Sequence, residues 1–157
     1  WQHHYFGDAP NNLSQRNVKR GKLVFEQATC SRCHNIGPGE KKLGPDLTDV
    51  TKRFRGAKLL QQVVKPSSEI HKDFQTQLIL VDDGRLLTGL VIEETADSIR
   101  FIPNLLKPEK TELIAKSAIE QRRVSDVSTM PEGLLDTFTE EEIYDLLAYL
   151  QTSGASQ

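Results

Sequence analysis

One stretch of this 157-residue chain gathers both of its cysteines and one of its four histidines: Cys30-Ser31-Arg32-Cys33-His34. The order C-x-x-C-H suits covalent attachment of a haem. Two thiols at this spacing can add across the two vinyl groups on one edge of a porphyrin, and the adjacent imidazole then reaches the iron from one face. Three other readings compete. A thioredoxin-like redox pair belongs between a strand and a helix of a βαβ unit, whereas the residues before Cys30 read as helix. A structural zinc site needs four ligands, and only scattered histidines could complete this one. The third is a chance pair of inert thiols.

A haem iron in an electron carrier usually takes a second axial ligand. Met130 is the only methionine, in Ser128-Thr129-Met130-Pro131-Glu132-Gly133. A thioether favours Fe(II), so Met/His ligation raises the reduction potential. Against it stands an ordinary apolar packing role. His71 is the rival for the sixth position, with a surface histidine as the plainer reading. His3 and His4 fall in a polar arm and are given no role. In Gly44-Pro45-Asp46-Leu47, the Pro45 carbonyl could accept the ring N–H of His34, fixing its tautomer; a plain turn is the alternative. Lys52, Arg53, Arg55, Arg122 and Arg123 are candidate partners for haem propionates, each also readable as solvated surface. The chain carries no paired catalytic carboxylates and no phosphate-binding glycine loop.

These residues need elements to hold them. Residues 1–13 read as a linker or arm. Ser14 is a candidate N-cap for a first helix, with Leu13 and Val18 as a hydrophobic staple. Val18, Gly21, Phe25 and Ala28 then share a face. Gly21 there costs about 1 kcal/mol relative to Ala, which suggests close approach by another helix. A Gly- and Pro-rich loop spans 29–50. A second short helix is expected over 56–65, with Leu59, Leu60, Val63 and Val64 on one side and Pro66 ending it.

From about residue 75 the period changes to that of strands. Gln75–Val81 and Leu86–Glu93 flank Asp82-Asp83-Gly84-Arg85, a hairpin signal. Ser98–Ile102, Thr111–Ala115 and Ile119–Val124 add three more strands. Residues of about 74–124 therefore predict a small antiparallel sheet or barrel inserted into a mainly α core, α+β overall, within a domain of 14–157. Thr139 to Glu142 forms a capping box, with Phe138 and Ile143 as its staple. Ile143, Leu146, Leu147 and Leu150 then follow helical spacing, and Gly154 sits where a C′ glycine belongs.

Composition narrows the function classes. Lys and Arg number 20 against 22 Asp and Glu, a net charge of −2 that argues against a nucleic-acid partner. Apolar residues make up 37%, and no apolar run approaches the ~18 residues of a membrane span. Two cysteines are too few for a disulfide scaffold. The opening Trp1-Gln2-His3-His4-Tyr5 is neither an initiator methionine nor a charged leader start, so the chain is expected to be processed or cut from something longer.

The order helix, C-x-x-C-H, G-P-D-L loop, short helix, methionine loop, terminal helix resembles class I cytochrome c. Gly21 and Phe25 resemble that family's small-then-aromatic pair, which implies Leu146 and Tyr149 as partners across a helix crossing. Met130 stands 96 positions after His34, and most of the gap is the β segment. In that respect the chain resembles the Planctomycete/Verrucomicrobium-type cytochrome c haem-binding domain. The stretches that carry the likeness are Cys30–His34, Gly44–Leu47, Lys65–Ile70, Asp83–Arg85 with Thr88–Val91, Met130–Leu135 and Asp145–Leu150.

The resemblance implies one covalently bound haem c, Cys30 and Cys33 as its attachment points, and His34 and Met130 as iron ligands. It implies outer-sphere electron transfer, with a redox protein or dehydrogenase domain as donor or acceptor and a periplasmic or otherwise exported location. Two other readings stay open. A labile sixth ligand would make a haem-based sensor or a peroxidase-like enzyme. An exposed edge of the β insertion could dock a partner or support self-association.

Overall fold

The computed structural model describes residues 11–39 and 43–152. Residues 1–10, which include His3, His4 and most of the expected arm, lie outside the described residues, as does Gly154. The described chain is mixed α+β and divides into two compact units. One holds residues up to Ser68 and from Met130 onward; the other is Glu69–Thr129.

Helix α1 spans Val18–Gln27, and its N-cap is Asn17, not Ser14. The Asn17 side chain accepts the Arg20 N–H at 3.0 Å. The reason for the later start is local. Gln15 has a φ of +64°, a left-handed conformation that no helix can run through. The Ser14 hydroxyl instead donates to Asn12 at 2.8 Å. With Asn17 as cap, the staple positions fall on Arg16 and Gly21, so the expected Leu13–Val18 staple does not exist, and Val18 is exposed.

Helix α2 spans Gly56–Val64 and ends at the Lys65-Pro66 boundary. Helix α3 spans Glu140–Thr152. Its capping box forms as expected. Thr139 N–H donates to Glu142 Oε2 at 2.8 Å, and Glu142 N–H to Thr139 Oγ1 at 3.4 Å. The core of this unit joins Val24, Phe25 and Ala28 near α1 to Leu59 and Leu60 of α2 and to Ile143, Tyr144, Leu146, Leu147 and Leu150 of α3, with Val50 and Leu135 between them.

The second unit is a five-stranded antiparallel sheet: β1 Gln75–Val81, β2 Leu86–Glu94, β3 Ser98–Ile102, β4 Glu112–Ala115 and β5 Ile119–Ser128, in the order β4-β3-β2-β1-β5. The last strand runs past the expected end at Val124, because Gln75 at the start of β1 still has a partner in Ser128. The β1–β2 turn uses Gly84 at a φ of +84°, where a side chain would strain the backbone.

A sheet of five strands is about 19 Å wide from edge to edge. Its edge strands β4 and β5 are nonetheless joined by the single 3₁₀ turn Lys116–Ala118, a path of at most about 14 Å. The sheet must therefore curl toward a barrel. Glu94 at the end of β2 accordingly reaches both Lys116 at 2.8 Å and Arg122 of β5 at 2.8 Å. The concave side buries Ile79, Val81, Ile99, Phe101 and Ile114.

Candidate functional site

Helix α1 delivers the cysteine motif. At its end Thr29 takes a φ of +60° and turns the chain into the 3₁₀ segment Cys30–Arg32. A non-glycine residue in that conformation costs on the order of 1 kcal/mol and persists where its surroundings impose it. The Cys30 carbonyl then accepts two N–H groups, from Cys33 at 3.1 Å and His34 at 3.0 Å. Residues three apart in a 3₁₀ turn eclipse one another, so Cys30 and Cys33 lie on one side of the coil.

Both thiols are free, with no disulfide between them. Cys30 packs against the apolar core, and burial pushes its thiol up to about 11. The motif also follows helix α1 and not a strand, unlike the strand-to-helix setting of a thioredoxin-like pair. Among the described residues no group of three or more Cys, His, Asp or Glu side chains could hold a metal ion.

His34 is held by the loop that follows it. Its Nδ1 lies 2.8 Å from the Pro45 carbonyl oxygen, so Nδ1–H is the donor. Gly44 makes the approach possible. A Cβ there would stand 2.6 Å from His34 Cε1 and 2.9 Å from Nδ1. Three more bonds stitch the loop: Gly44 N–H to Cys33 O at 2.8 Å, Leu47 N–H to Asn35 O at 2.9 Å, and Gly37 N–H to Thr48 Oγ1 at 2.7 Å.

The crossing of α1 and α3 fixes where the motif begins. A Cβ on Gly21 would stand 2.0 Å from the Asp145 carbonyl oxygen and 2.8 Å from Tyr149 Cβ. The partner of Gly21 is thus the α3 backbone at Asp145 rather than Leu146, which is buried in the same core. Phe25 and Tyr149 meet edge to face with ring centres 5.7 Å apart. Asp145 itself, 1% exposed, accepts the Asn17 N–H at 3.0 Å and pairs with Arg20. Sequence reasoning missed this anchor; the only signal was an acid on the apolar face of the last helix.

Met130 is half-buried in the loop before α3 and belongs to the same compact unit as Cys30–His34. The loop after it packs beside α2, where Gly133, Leu134, Leu135 and Asp136 line a shallow cleft with Val63 and Val64. His71 lies in the other unit, 47% exposed, its Nδ1 accepting the Asp73 N–H at 3.3 Å.

Four of the five candidate propionate partners are engaged locally. Arg122 is committed to Glu94 and Gln77 in the sheet, and Arg123 is exposed on β5. Lys52 pairs with Asp49 at 2.8 Å, while Arg53 and Arg55 donate to the backbone carbonyls of Asp46 and Thr51.

A helical unit built around a C-x-x-C-H turn, with the histidine tautomer set by a proline carbonyl, defines a haem protein of the c type. A family model for cytochrome c matches residues 18–105, more than half of the chain, and the chain belongs to the cytochrome c family. The match takes in α1, Cys30–His34, α2 and the first three strands, and ends before Met130. No curated protein matches the chain significantly. The chain is a haem-based electron-transfer module, and haem c is the cofactor its family implies. The residues present fit that group: two free thiols on one side of a tight turn, and an imidazole whose one ring nitrogen is already committed to the protein.

Proposed function

We propose that the chain carries one haem, bound through Cys30 and Cys33 with His34 and Met130 as axial ligands, and serves as the electron-transfer module of an exported oxidoreductase. The observation that carries this reading is the His34–Pro45 bond beside the Cys30–Cys33 turn. Once bound, the haem supplies a one-electron Fe(III)/Fe(II) couple.

The chain's own residues do the rest. Pro45 holds the Nδ1 proton of His34 and thereby aims Nε2 and raises its basicity. The net chemistry at Cys30 and Cys33 would be addition of S and H together across one vinyl group each. The two cysteines of the sequence make one attachment motif, which supports a single haem. Met130, in the unit of Cys30–His34, is favoured over His71, whose ring is engaged locally in the other unit. The β unit inserted between α2 and Met130 supports the Planctomycete/Verrucomicrobium-type subclass. That assignment suits a periplasmic location and a dehydrogenase domain or other redox protein as partner.

The test is the visible spectrum of protein matured in cells that install haem c. The ferric form is expected to show the weak near-red band of methionine–iron ligation. The band should survive His71→Ala and vanish in Met130→Ala. A colourless product overturns the whole reading; a band that persists in Met130→Ala overturns the ligand assignment.

A further inference from the structure

Among the described residues two polar or charged side chains are buried, Asp145 and Thr76. Asp145 anchors the crossing of α1 and α3. Thr76, 8% exposed, lies on β1 in the other unit. Its hydroxyl donates to the Val127 carbonyl of β5 at 3.3 Å.

Val127 belongs to a bulge. Gln77 pairs with Val124 and Gln75 with Ser128, so Ser125, Asp126 and Val127 stand opposite Thr76 alone. A bulge commonly carries one extra residue; this one carries two. The Ser125 hydroxyl closes it, accepting the Val127 N–H at 3.1 Å and lying 3.4 Å from the Val127 carbonyl oxygen. Asp126 and Val127 are exposed, so the bulge gains nothing from apolar burial of its own. Two extra residues leave the alternation of faces unchanged, and pairing resumes at Ser128. What the bulge adds is a bend and a stronger twist near the end of the strand.

That end leads straight to Met130. Ser128 is the last residue of β5, and only Thr129 separates it from Met130. The chain passes from the sheet unit to the helical unit between Thr129 and Met130. Pro131 follows, and the residue before a proline is biased toward extended backbone. With Ser128 paired and Met130 so restricted, the direction in which β5 ends governs where the thioether can be offered.

We infer that the β5 bulge aims Met130 at the iron, with Thr76 and Ser125 as the positioning residues that hold its shape. This rests on the Met130 assignment above. Bulges recur beside active sites, where they re-aim a side chain. A ligand hung from a strand end is also held more precisely than one on a long loop.

The test uses the haem-loaded ferric protein, read by its near-red methionine band and by titration with imidazole, which displaces the thioether. Thr76→Val keeps the side-chain shape and removes the hydroxyl. It is expected to bind imidazole about five-fold more tightly than wild type, the worth of one buried hydrogen bond, with a weaker band. Thr76→Ser should restore both toward wild type. Deleting Asp126 and Val127 keeps the Gln77–Val124 and Gln75–Ser128 pairs but removes the bend, and the band should be lost. Ile79→Val thins the sheet core without touching the bulge. It should lower the Tm and leave the band and the imidazole midpoint as in wild type.

A wild-type band and imidazole midpoint in Thr76→Val overturn the positioning role and leave Met130 as the ligand. So does an Ile79→Val protein that shifts the midpoint as far as Thr76→Val, since loss of sheet stability alone would then account for the effect. A wild-type protein without the band, or a band that survives Met130→Ala, overturns the ligand assignment and the positioning role with it.

Discussion

His34 and Pro45, eleven residues apart, are joined by a 2.8 Å contact between Nδ1 and a carbonyl oxygen, and Gly44 lets them meet. Because the acceptor is backbone, Pro45→Ala keeps it, and only a modest change in reduction potential is expected. Gly44→Ala puts a methyl 2.6 Å from His34 Cε1, so the ring must move. The expected cost is about 1–3 kcal/mol of stability, as for overpacking, with lower haem retention and a shifted midpoint potential. Spectroelectrochemistry on both variants checks this. A Gly44→Ala protein with wild-type potential and Tm would show that the loop yields freely.

Gly21 faces backbone, which yields less than a side chain. A methyl there would stand 2.0 Å from the Asp145 carbonyl oxygen. Gly21→Ala should therefore lose at least about 2 kcal/mol by urea unfolding, although Ala is the better helix former by about 1 kcal/mol. An unchanged or raised midpoint would mean that α1 and α3 can separate without loss.

Asp145 is expected to be as important as any apolar core residue of α3. Replacement by Ala leaves the Asn17 N–H without its acceptor and Arg20 without its carboxylate. Arg20 is partly exposed and can turn to water, so the expected loss is about 2–3 kcal/mol rather than the full cost of breaking a buried pair. Asp145→Asn keeps an acceptor for Asn17 and should lose less. Chemical denaturation of the two variants ranks them; equal loss would assign the effect to charge alone.

The sheet unit contributes a pH-dependent network through Glu94. Hydrogen bonds from Arg122 and then Lys116 hold the Glu94 carboxyl at about 2, below its ordinary 4.5. A depressed carboxyl stabilises the fold above its unfolded value, and that contribution is lost as pH falls from about 4.5 toward about 2. The site is exposed, so solvent screens the pair and the effect is modest. Carbon-13 NMR should show Glu94 titrating near 2. The Tm of Glu94→Gln should fall less steeply between pH 5 and 2.5 than that of wild type. A midpoint near 4.5 would refute the network.

Much of the chemistry was legible along the chain. The Cys30–His34 turn, the His34–Pro45 pairing, the Thr139–Glu142 box and the Gly84 hairpin all rest on partners no more than eleven residues apart. Local spacing carries such contacts, because backbone geometry alone brings the groups together. The start of α1 was misread for a reason equally local: a left-handed Gln15 is not written in residue type.

Gly21 announced a close neighbour without naming it. Asp145 lies 128 positions from the Asn17 N–H it accepts, and Arg122 lies 28 positions from its partner Glu94. Composition and spacing are thus enough to single out the C-x-x-C-H turn, the family likeness and most element boundaries. Which backbone presses on Gly21, which buried acid anchors α1, and how far the sheet curls are settled only when distant segments pack. Those contacts depend on chain closure over long loops, and no periodicity in the sequence encodes their register.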